Sequence, residues 1–139
     1  MKLQRFVDAQ AGVYDRALAE LREGRKQSHW MWFVFPQIAG LGASPMARAY
    51  AIQSIAEAQA YLAHPLLGPR LRECCQAMQN IRGQSARDVL GAPDDLKFRS
   101  SMTLFAEAAP DEVMFYNLLD KYFDGEPDER TLEILARQE

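Results

Sequence analysis

Apolar residues recur every three or four positions along most of the chain, which is the spacing of one buried face of an α-helix. Such stripes predict helices from Phe6 to Leu21, from Ile55 to Ala63 and from Leu66 to Ile81. Capping residues, glycines and prolines mark further predicted helices, Pro45 to Tyr50, Ser85 to Gly91, Pro93 to Ala109, Asp111 to Phe123 and Asp128 to Arg137. Period-two runs typical of strands are absent. The pattern predicts an all-α protein, a compact multihelical array of about eight helices in a single domain over residues 1–139.

The segment from Trp30 to Phe35 is apolar at all six positions, so periodicity does not distinguish a short helix from a buried strand. Ser28 is suited to cap a helix here. Pro36 is suited to end it, because proline disfavours α geometry at the residue before it. A buried strand is the alternative. We favour the helix because the flanking segments are helical and one strand cannot form a sheet.

The composition is that of an ordinary globular protein, with 139 residues of which 48% are hydrophobic and 25% are charged. The net charge of -3 provides no overall positive field to hold a polyphosphate backbone, so we expect no binding to duplex nucleic acid. The longest strongly apolar run has six residues, against the roughly 20 that cross a bilayer, so we expect no association with a membrane.

The cysteines and histidines bear on the redox compartment and on metal binding. Cys74 and Cys75 are adjacent and do not easily meet the geometry of a disulfide, which indicates a reducing compartment. The chain starts with an amphipathic pattern rather than an apolar export signal, so we predict a cytoplasmic protein. His29 and His64 are too few and too far apart for a metal motif. No metal or other cofactor is predicted.

Closely spaced aromatic residues with polar neighbours form the first candidate binding element: Trp30, Trp32, Phe33 and Phe35, beside Ser28, His29 and Gln37. Trp30 and Trp32 have ring faces suited to stack on a nucleobase, and Gln37 is a further candidate for ligand binding. His29 is a candidate general acid or base, because imidazole titrates near neutral pH. The alternative is a dense core segment, although a buried tryptophan needs a partner for its N–H.

The predicted helix after residue 93 supplies the second candidate element. Lys97 and Ser101 are four positions apart and face the same side of this helix. Lys97 and Arg99 can hold an anion together with the free N–H groups of the helix start, and Asp94 is a candidate proton carrier beside them. Alternatively, the two aspartates satisfy the helix start while Lys97 and Arg99 form ordinary surface ion pairs.

Four segments carry a resemblance to a known family. They are residues 26–37, 40–42, 64–68 and 100–105, which read KQSHWMWFVFPQ, GLG, HPLLG and SSMTLF. With these segments the chain closely resembles the bacterial domain-of-unknown-function family 1810 over nearly its whole length. The resemblance implies a compact all-helical fold and a stand-alone cytosolic protein, without an established activity. Members sometimes carry the label calpastatin, which nothing in this sequence supports.

The two candidate elements lead to two hypotheses about function, and the sequence leaves open whether the protein is an enzyme. The first is a protein that binds a nucleotide or small phosphorylated metabolite between the two elements, extending to hydrolysis of ADP-ribose-type or N-glycosidic substrates. The alternative is a protein-interaction module, with no particular partner predicted, in which Trp32, Phe33 and Phe35 form an exposed hot spot. A pocket that joins His29 to Lys97 would favour the first, and an exposed apolar patch would favour the second.

Overall fold

The computed structural model describes residues 2–138 and contains ten α-helices in that range: α1 Gln4–Gln10, α2 Tyr14–Glu23, α3 Met31–Val34, α4 Pro45–Ala49, α5 Ile55–Ala63, α6 Leu67–Asn80, α7 Ala86–Leu90, α8 Asp94–Ala108, α9 Val113–Phe123 and α10 Glu129–Arg137. The predicted all-α class is confirmed, with ten helices in this range where about eight were predicted. An isolated parallel bridge joins Ile38 to Ile52. None of the ten helices is long and apolar enough to cross a membrane.

The predicted first helix is two helices, and Gly12 separates them. Gly12 has a φ of 81°, in the left-handed region that glycine adopts readily, so α1 ends before it and α2 begins after it. Phe6, Gln10 and Tyr14 are all buried, which explains why the apolar stripe of the sequence continues across a break in the backbone. Gly24 ends α2 in a left-handed conformation with a φ of 75°.

The aromatic segment forms a short helix, as predicted, but Ser28 does not cap it. α3 is a single turn, and Trp30 occupies its N-cap position without a side-chain hydrogen bond to the helix. The Ser28 hydroxyl donates instead to Glu20 of α2 at 2.7 Å. After α3, the carbonyl of Gln37 accepts from the N–H of Ile52 at 2.8 Å, which brings the segment after α4 alongside the segment after α3.

α8 is the central helix of the array and packs against α5, α7, α9 and α10. Every residue from Ser100 to Ala106 is buried, so this part of the helix is enclosed on all sides. Phe98 lies edge-on to Phe35, with ring centroids 4.9 Å apart, which joins α8 to the aromatic segment. The hydroxyls of Ser100 and Thr103 donate to carbonyls one turn back, because buried hydroxyls need partners.

Side chains cap both ends of α6. At its start, Nδ1 of His64 accepts from the N–H groups of Leu66 and Leu67 at 3.1 and 3.2 Å. At its end, the Lys121 ammonium of α9 donates to the carbonyls of Met78 and Gln79 in the last turn and of Ile81 just after it, and burial lowers the pKa of Lys121. These caps satisfy backbone groups that the ends of a helix otherwise leave without partners.

Candidate functional site

A cleft of about 230 Å³ is lined by residues of α3, α4 and α8 and by residues on both sides of the bridge between Ile38 and Ile52. We call it the Trp32 cleft. Its aromatic and polar lining residues are Trp32, Phe35, Gln37, Arg48, Tyr50, Gln53 and Lys97. Three candidate ligand-binding residues from the sequence, Trp32, Gln37 and Lys97, therefore lie in one concavity. None of the described residues that line it is acidic.

Lys97 lies over the indole ring of Trp32, with its Nζ 5.1 Å from the ring centroid, which is a cation–π distance. Oδ1 of Asp94, three residues earlier in α8, lies 3.5 Å from the same Nζ. Oδ2 of Asp94 lies 2.9 Å from Nζ of Lys26. Both carboxylate oxygens of Asp94 therefore face ammonium groups, one of which is that of Lys97 at the cleft.

Trp30 does not line the Trp32 cleft, so the structure does not bring it together with Trp32 as a surface for a ligand. Trp30 is 1% exposed, and its indole N–H donates to Oε1 of Glu20 at 2.9 Å. Glu20 also accepts from the N–H and hydroxyl of Ser28 and from the N–H of Gln27. Burial raises the pKa of Glu20, but these hydrogen bonds outweigh burial and lower the pKa to about 2. Sequence reasoning missed this carboxylate, although an acidic residue beside the apolar stripe of α2 was a signal.

His29 lines a second concavity of about 280 Å³, which we call the His29 groove. The groove shares Met31 and Trp32 with the Trp32 cleft, and its other lining residues are Lys26, His29, Ala92, Pro93 and Asp94. The single pocket expected to join His29 to Lys97 is therefore two adjoining concavities. No group of three or more His, Cys, Asp or Glu side chains within residues 2–138 is placed to hold a metal ion.

Arg99 and Ser101 lie outside the Trp32 cleft, so the structure does not support their predicted roles in ligand binding. Arg99 donates to the carbonyl of Glu126 at 2.8 Å, and its guanidinium lies over the ring of Phe123. Two residues along a helix turn the side chain by about 200°, which separates Arg99 from Lys97. Ser101 is 0% exposed and does not reach a ligand in the cleft.

The start of α8 has fewer free N–H groups than the sequence suggested. The N–H of Asp95 donates to the carbonyl of Gly91 at 2.9 Å. The N–H groups of Leu96 and Lys97 donate to the carbonyl of Pro93 at 3.0 and 3.2 Å. Because these donors are already bonded, the Lys97 side chain is the main anion-binding group that α8 contributes to the cleft.

Arg5 of α1, which the sequence analysis did not single out, holds one wall of the cleft. Its guanidinium donates to the carbonyls of Ala49 and Ala51 at 2.9 and 2.6 Å. It also lies 3.2 Å from the buried carboxylate of Glu57. These partners are 44, 46 and 52 residues away in the chain, so no local sequence pattern could reveal them.

We expect Arg5→Lys to lower the free energy of unfolding by about 1–2 kcal/mol, because a single ammonium cannot replace the forked contacts to two carbonyls and Glu57. Arg16→Lys, at an exposed position of α2, is the matched control and should change this free energy by less than about 0.5 kcal/mol. Urea denaturation followed by circular dichroism measures both. Equal stability of the two variants would show that the Arg5 contacts contribute nothing.

The aromatic segment does not form an exposed patch, which corrects the premise of the interaction-module hypothesis. Phe35 is 1% exposed, and Phe33 packs edge-on to Tyr50 with ring centroids 4.8 Å apart. Trp32 is partly exposed, and it faces the concavities rather than forming part of a raised surface. Among the described residues, the exposed large apolar side chains lie elsewhere, at Met46, Leu96, Val113 and Tyr116.

Comparison with known proteins agrees with the family resemblance of the sequence. The family model described as "Protein of unknown function (DUF1810)" matches residues 1–135. The crystal structure of the conserved hypothetical protein Rv1873 from Mycobacterium tuberculosis is similar with a TM-score of 0.95 and 56% sequence identity, over 96% of this chain and 96% of that chain. No curated protein matches the chain. The chain therefore belongs to the DUF1810 family of proteins of unknown function.

Proposed function

We propose that the protein binds a small anionic molecule that carries an aromatic ring, and that nucleotides are the ligand class that fits best. The observation that carries this proposal is the position of Lys97 over Trp32 in a cleft that Arg48 also lines. An anionic group bound to Lys97 lies beside the indole, so a ring attached to that group reaches an aromatic surface.

The charge of the cleft supports an anionic ligand. The whole chain has a net charge of -3, yet the charged residues that line the cleft are Arg48 and Lys97. Within residues 2–138, no ion pair involves the Arg48 guanidinium, so its charge is available to a ligand. Lys97 is held in place by Asp94, and water screens a charge less in a cleft than on an open surface.

Two glutamines supply the cleft with groups that can recognise the edge of a ring. A side-chain amide both donates and accepts, which is how glutamine pairs with the N6 and N7 edge of adenine. Gln37 and Gln53 both line the cleft. The carbonyl of Gln37 accepts from Ile52, which fixes the backbone that carries the Gln37 side chain. The cleft thus has polar groups to orient a ring as well as charges to attract an anion.

We propose binding without a reaction step. Among the described residues, the titratable side chains that line the cleft are Arg48, Tyr50 and Lys97, which include no carboxylate or imidazole to act as a general base. His29 lines the adjoining groove, and Asp94 is paired with two lysines. The catalytic roles that the sequence suggested for His29 and Asp94 therefore form no part of the proposal.

Thermal unfolding in the presence of AMP, ADP, NAD and ADP-ribose tests the proposal. A ligand at about 100 times its dissociation constant stabilises the folded state by about 2.7 kcal/mol, which raises Tm by several degrees in a domain of this size. We expect such a shift with at least one of these compounds. Trp32→Ala and Lys97→Met should each abolish it, because they remove the aromatic surface and the cation beside it.

The control for these variants is Arg87→Met, which removes an exposed cation of α7 outside both concavities. It should show the same ligand-induced shift as the wild type. Far-UV circular dichroism establishes that the Trp32 and Lys97 variants are folded before their Tm values are compared. If no compound shifts the Tm of the wild type, or if both cleft variants respond like Arg87→Met, the proposed function is wrong.

A further inference from the structure

The Trp32 cleft is small for a complete ligand. Its volume is about 230 Å³, whereas small-molecule sites typically measure roughly 300–1,000 Å³. A nucleotide bound at Trp32 and Lys97 therefore extends beyond this cleft. Two neighbouring concavities share lining residues with the cleft, and their charge decides which one receives the rest of the ligand.

Among the described residues that line the His29 groove, the one lysine is already paired. Lys26 has a side chain that is 7% exposed, and its Nζ lies 2.9 Å from the carboxylate of Asp94. The same Nζ lies over the ring of Trp30, 5.2 Å from the centroid. Asp94 itself adds a negative charge to the lining of this groove. Lys26 is thus buried and held by Asp94 and Trp30, whereas Lys97 lies farther from the same carboxylate and lines the Trp32 cleft.

The other neighbouring concavity, which we call the Arg48 groove, adjoins the Trp32 cleft and is larger. It has a volume of about 450 Å³ and shares Arg48 and Gln53 with the cleft. Its remaining lining residues are Lys2, Arg5, Ala49 and Glu57. Arg48 and Gln53 line both concavities. A ligand that extends from the cleft into the groove can therefore contact both side chains.

The available charge in the Arg48 groove is positive. The carboxylate of Glu57 is buried and already bonded to Arg5 at 3.2 Å and to the N–H of Gln53 at 3.0 Å. Arg5 is in turn occupied by Glu57 and by backbone carbonyls. Lys2 and Arg48 form no ion pair with any other residue in the range 2–138. Both are therefore free to bind an anion.

We propose that the ligand of the Trp32 cleft is elongated and carries a second anionic group, which Arg48 and Lys2 bind in the Arg48 groove. This inference rests on the proposed function and specifies the ligand further, as a nucleoside diphosphate in preference to a monophosphate. The first phosphate lies near Lys97 and the terminal phosphate near Arg48 and Lys2. The net charge of -3 disfavours a long polyanion on the same track, since its repulsion grows with each added phosphate.

Isothermal titration calorimetry of the full chain with the pairs AMP and ADP, and GMP and GDP, tests this inference. For at least one base, the wild type should bind the diphosphate about tenfold more tightly than the monophosphate, which corresponds to about 1.4 kcal/mol. In Lys2→Gln/Arg48→Gln this ratio should fall to about threefold or less, because both free cations are gone. The readout is the ratio of monophosphate to diphosphate dissociation constants within each variant. A variant that binds both ligands more weakly to the same extent keeps this ratio and so does not give the expected result.

Two further variants keep the test interpretable. Lys2→Gln alone changes an exposed side chain, and it should reduce the ratio even if the double variant does not fold. Arg87→Gln removes an exposed cation elsewhere and should keep the wild-type ratio. An unchanged ratio in both Lys2→Gln and the double variant would overturn the inference.

The remaining outcomes separate this inference from the proposed function. Equal binding of monophosphates and diphosphates by the wild type, with both weakened in Lys97→Met, would overturn the second anionic subsite and leave the proposed function standing. No binding of any nucleotide would overturn both. Binding of single-stranded octathymidylate more tightly than either diphosphate, lost in the double variant, would identify an oligonucleotide track and overturn the diphosphate assignment.

Discussion

Gly68→Ala should lower the free energy of unfolding by about 2–4 kcal/mol, although helix propensity alone predicts a gain of about 1 kcal/mol for this substitution inside a helix. A Cβ added at Gly68 in α6 would lie 2.1 Å from the carbonyl oxygen of Leu62 and 3.0 Å from its carbonyl carbon. This carbonyl belongs to α5 and accepts from Arg72 at 3.1 Å, so it has little freedom to move. Steric repulsion between the two helices therefore outweighs propensity. Urea denaturation measures the loss.

The matched control is Gly83→Ala, which separates steric contact from backbone strain. Gly83 has a φ of 74°, but a Cβ there would meet no atom of the described residues within 4 Å. Its substitution should cost only the strain of a left-handed conformation, about 1–2 kcal/mol. Wild-type stability of Gly68→Ala would contradict the close approach of α5 and α6 at the HPLLG segment. If α5 and α6 do not approach closely there, Gly68→Val should also be as stable as the wild type. Urea denaturation tests this variant as well.

Glu20→Gln should lower the free energy of unfolding by roughly 2–3 kcal/mol at pH 7. Glu20 accepts four hydrogen bonds, from the N–H groups of Gln27 and Ser28, from the Ser28 hydroxyl and from the indole of Trp30. A glutamine retains one acceptor oxygen and places an NH₂ group against donors. The loss is large because the buried donors then lack a charged acceptor.

The effect of Glu20→Gln should depend on pH, with a definite sign. The pKa of Glu20 is lowered from 4.5 to about 2 in the folded protein, so the carboxylate contributes its full stabilisation above about pH 5. That contribution is lost as the pH falls from the ordinary pKa of 4.5 through about 2. The stability difference between wild type and variant should therefore shrink steadily below pH 4.5. Urea denaturation at a series of pH values measures it.

Glu23→Gln is the control for this pH dependence, because it removes an exposed carboxylate from the same helix. Its stability should follow that of the wild type within about 0.5 kcal/mol at every pH. A difference between wild type and Glu20→Gln that is as large at pH 3 as at pH 7 would show that the charge of Glu20 does not stabilise the fold. The loss would then come from changed packing around Trp30.

The sequence by itself determined the helical class, the family and the position of most helices, because these depend on residues that are close in the chain. The hydroxyls of Ser44, Ser54 and Ser85 each accept the N–H of the residue three positions later. Such caps can be identified in a sequence because donor and acceptor have a fixed spacing. Gly12 shows where this approach is insufficient. The glycine breaks the helix with its positive φ, but the apolar spacing continues on both sides of it and therefore predicted one helix instead of two.

The sequence also grouped Trp32, Gln37 and Lys97 as candidates, and the structure brings these three side chains to one concavity. The sequence did not distinguish these three cleft residues from Trp30 and Arg99, which lie elsewhere. Both of those side chains are of the expected chemical type, but Trp30 bonds to Glu20 and Arg99 bonds to Glu126. Residue type and spacing indicate what a side chain can do. They do not indicate which partner it meets.

Only the tertiary structure decided which tryptophan lines the cleft, whether His29 shares that cleft with Lys97, and what holds its walls. Arg5 meets Glu57 across 52 residues of sequence, and it also binds the carbonyls of Ala49 and Ala51. These contacts depend on how α1, α5 and the segment after α4 pack together. A periodic pattern records which face of each helix is buried, whereas the partner of each face is determined by the packing of the whole chain.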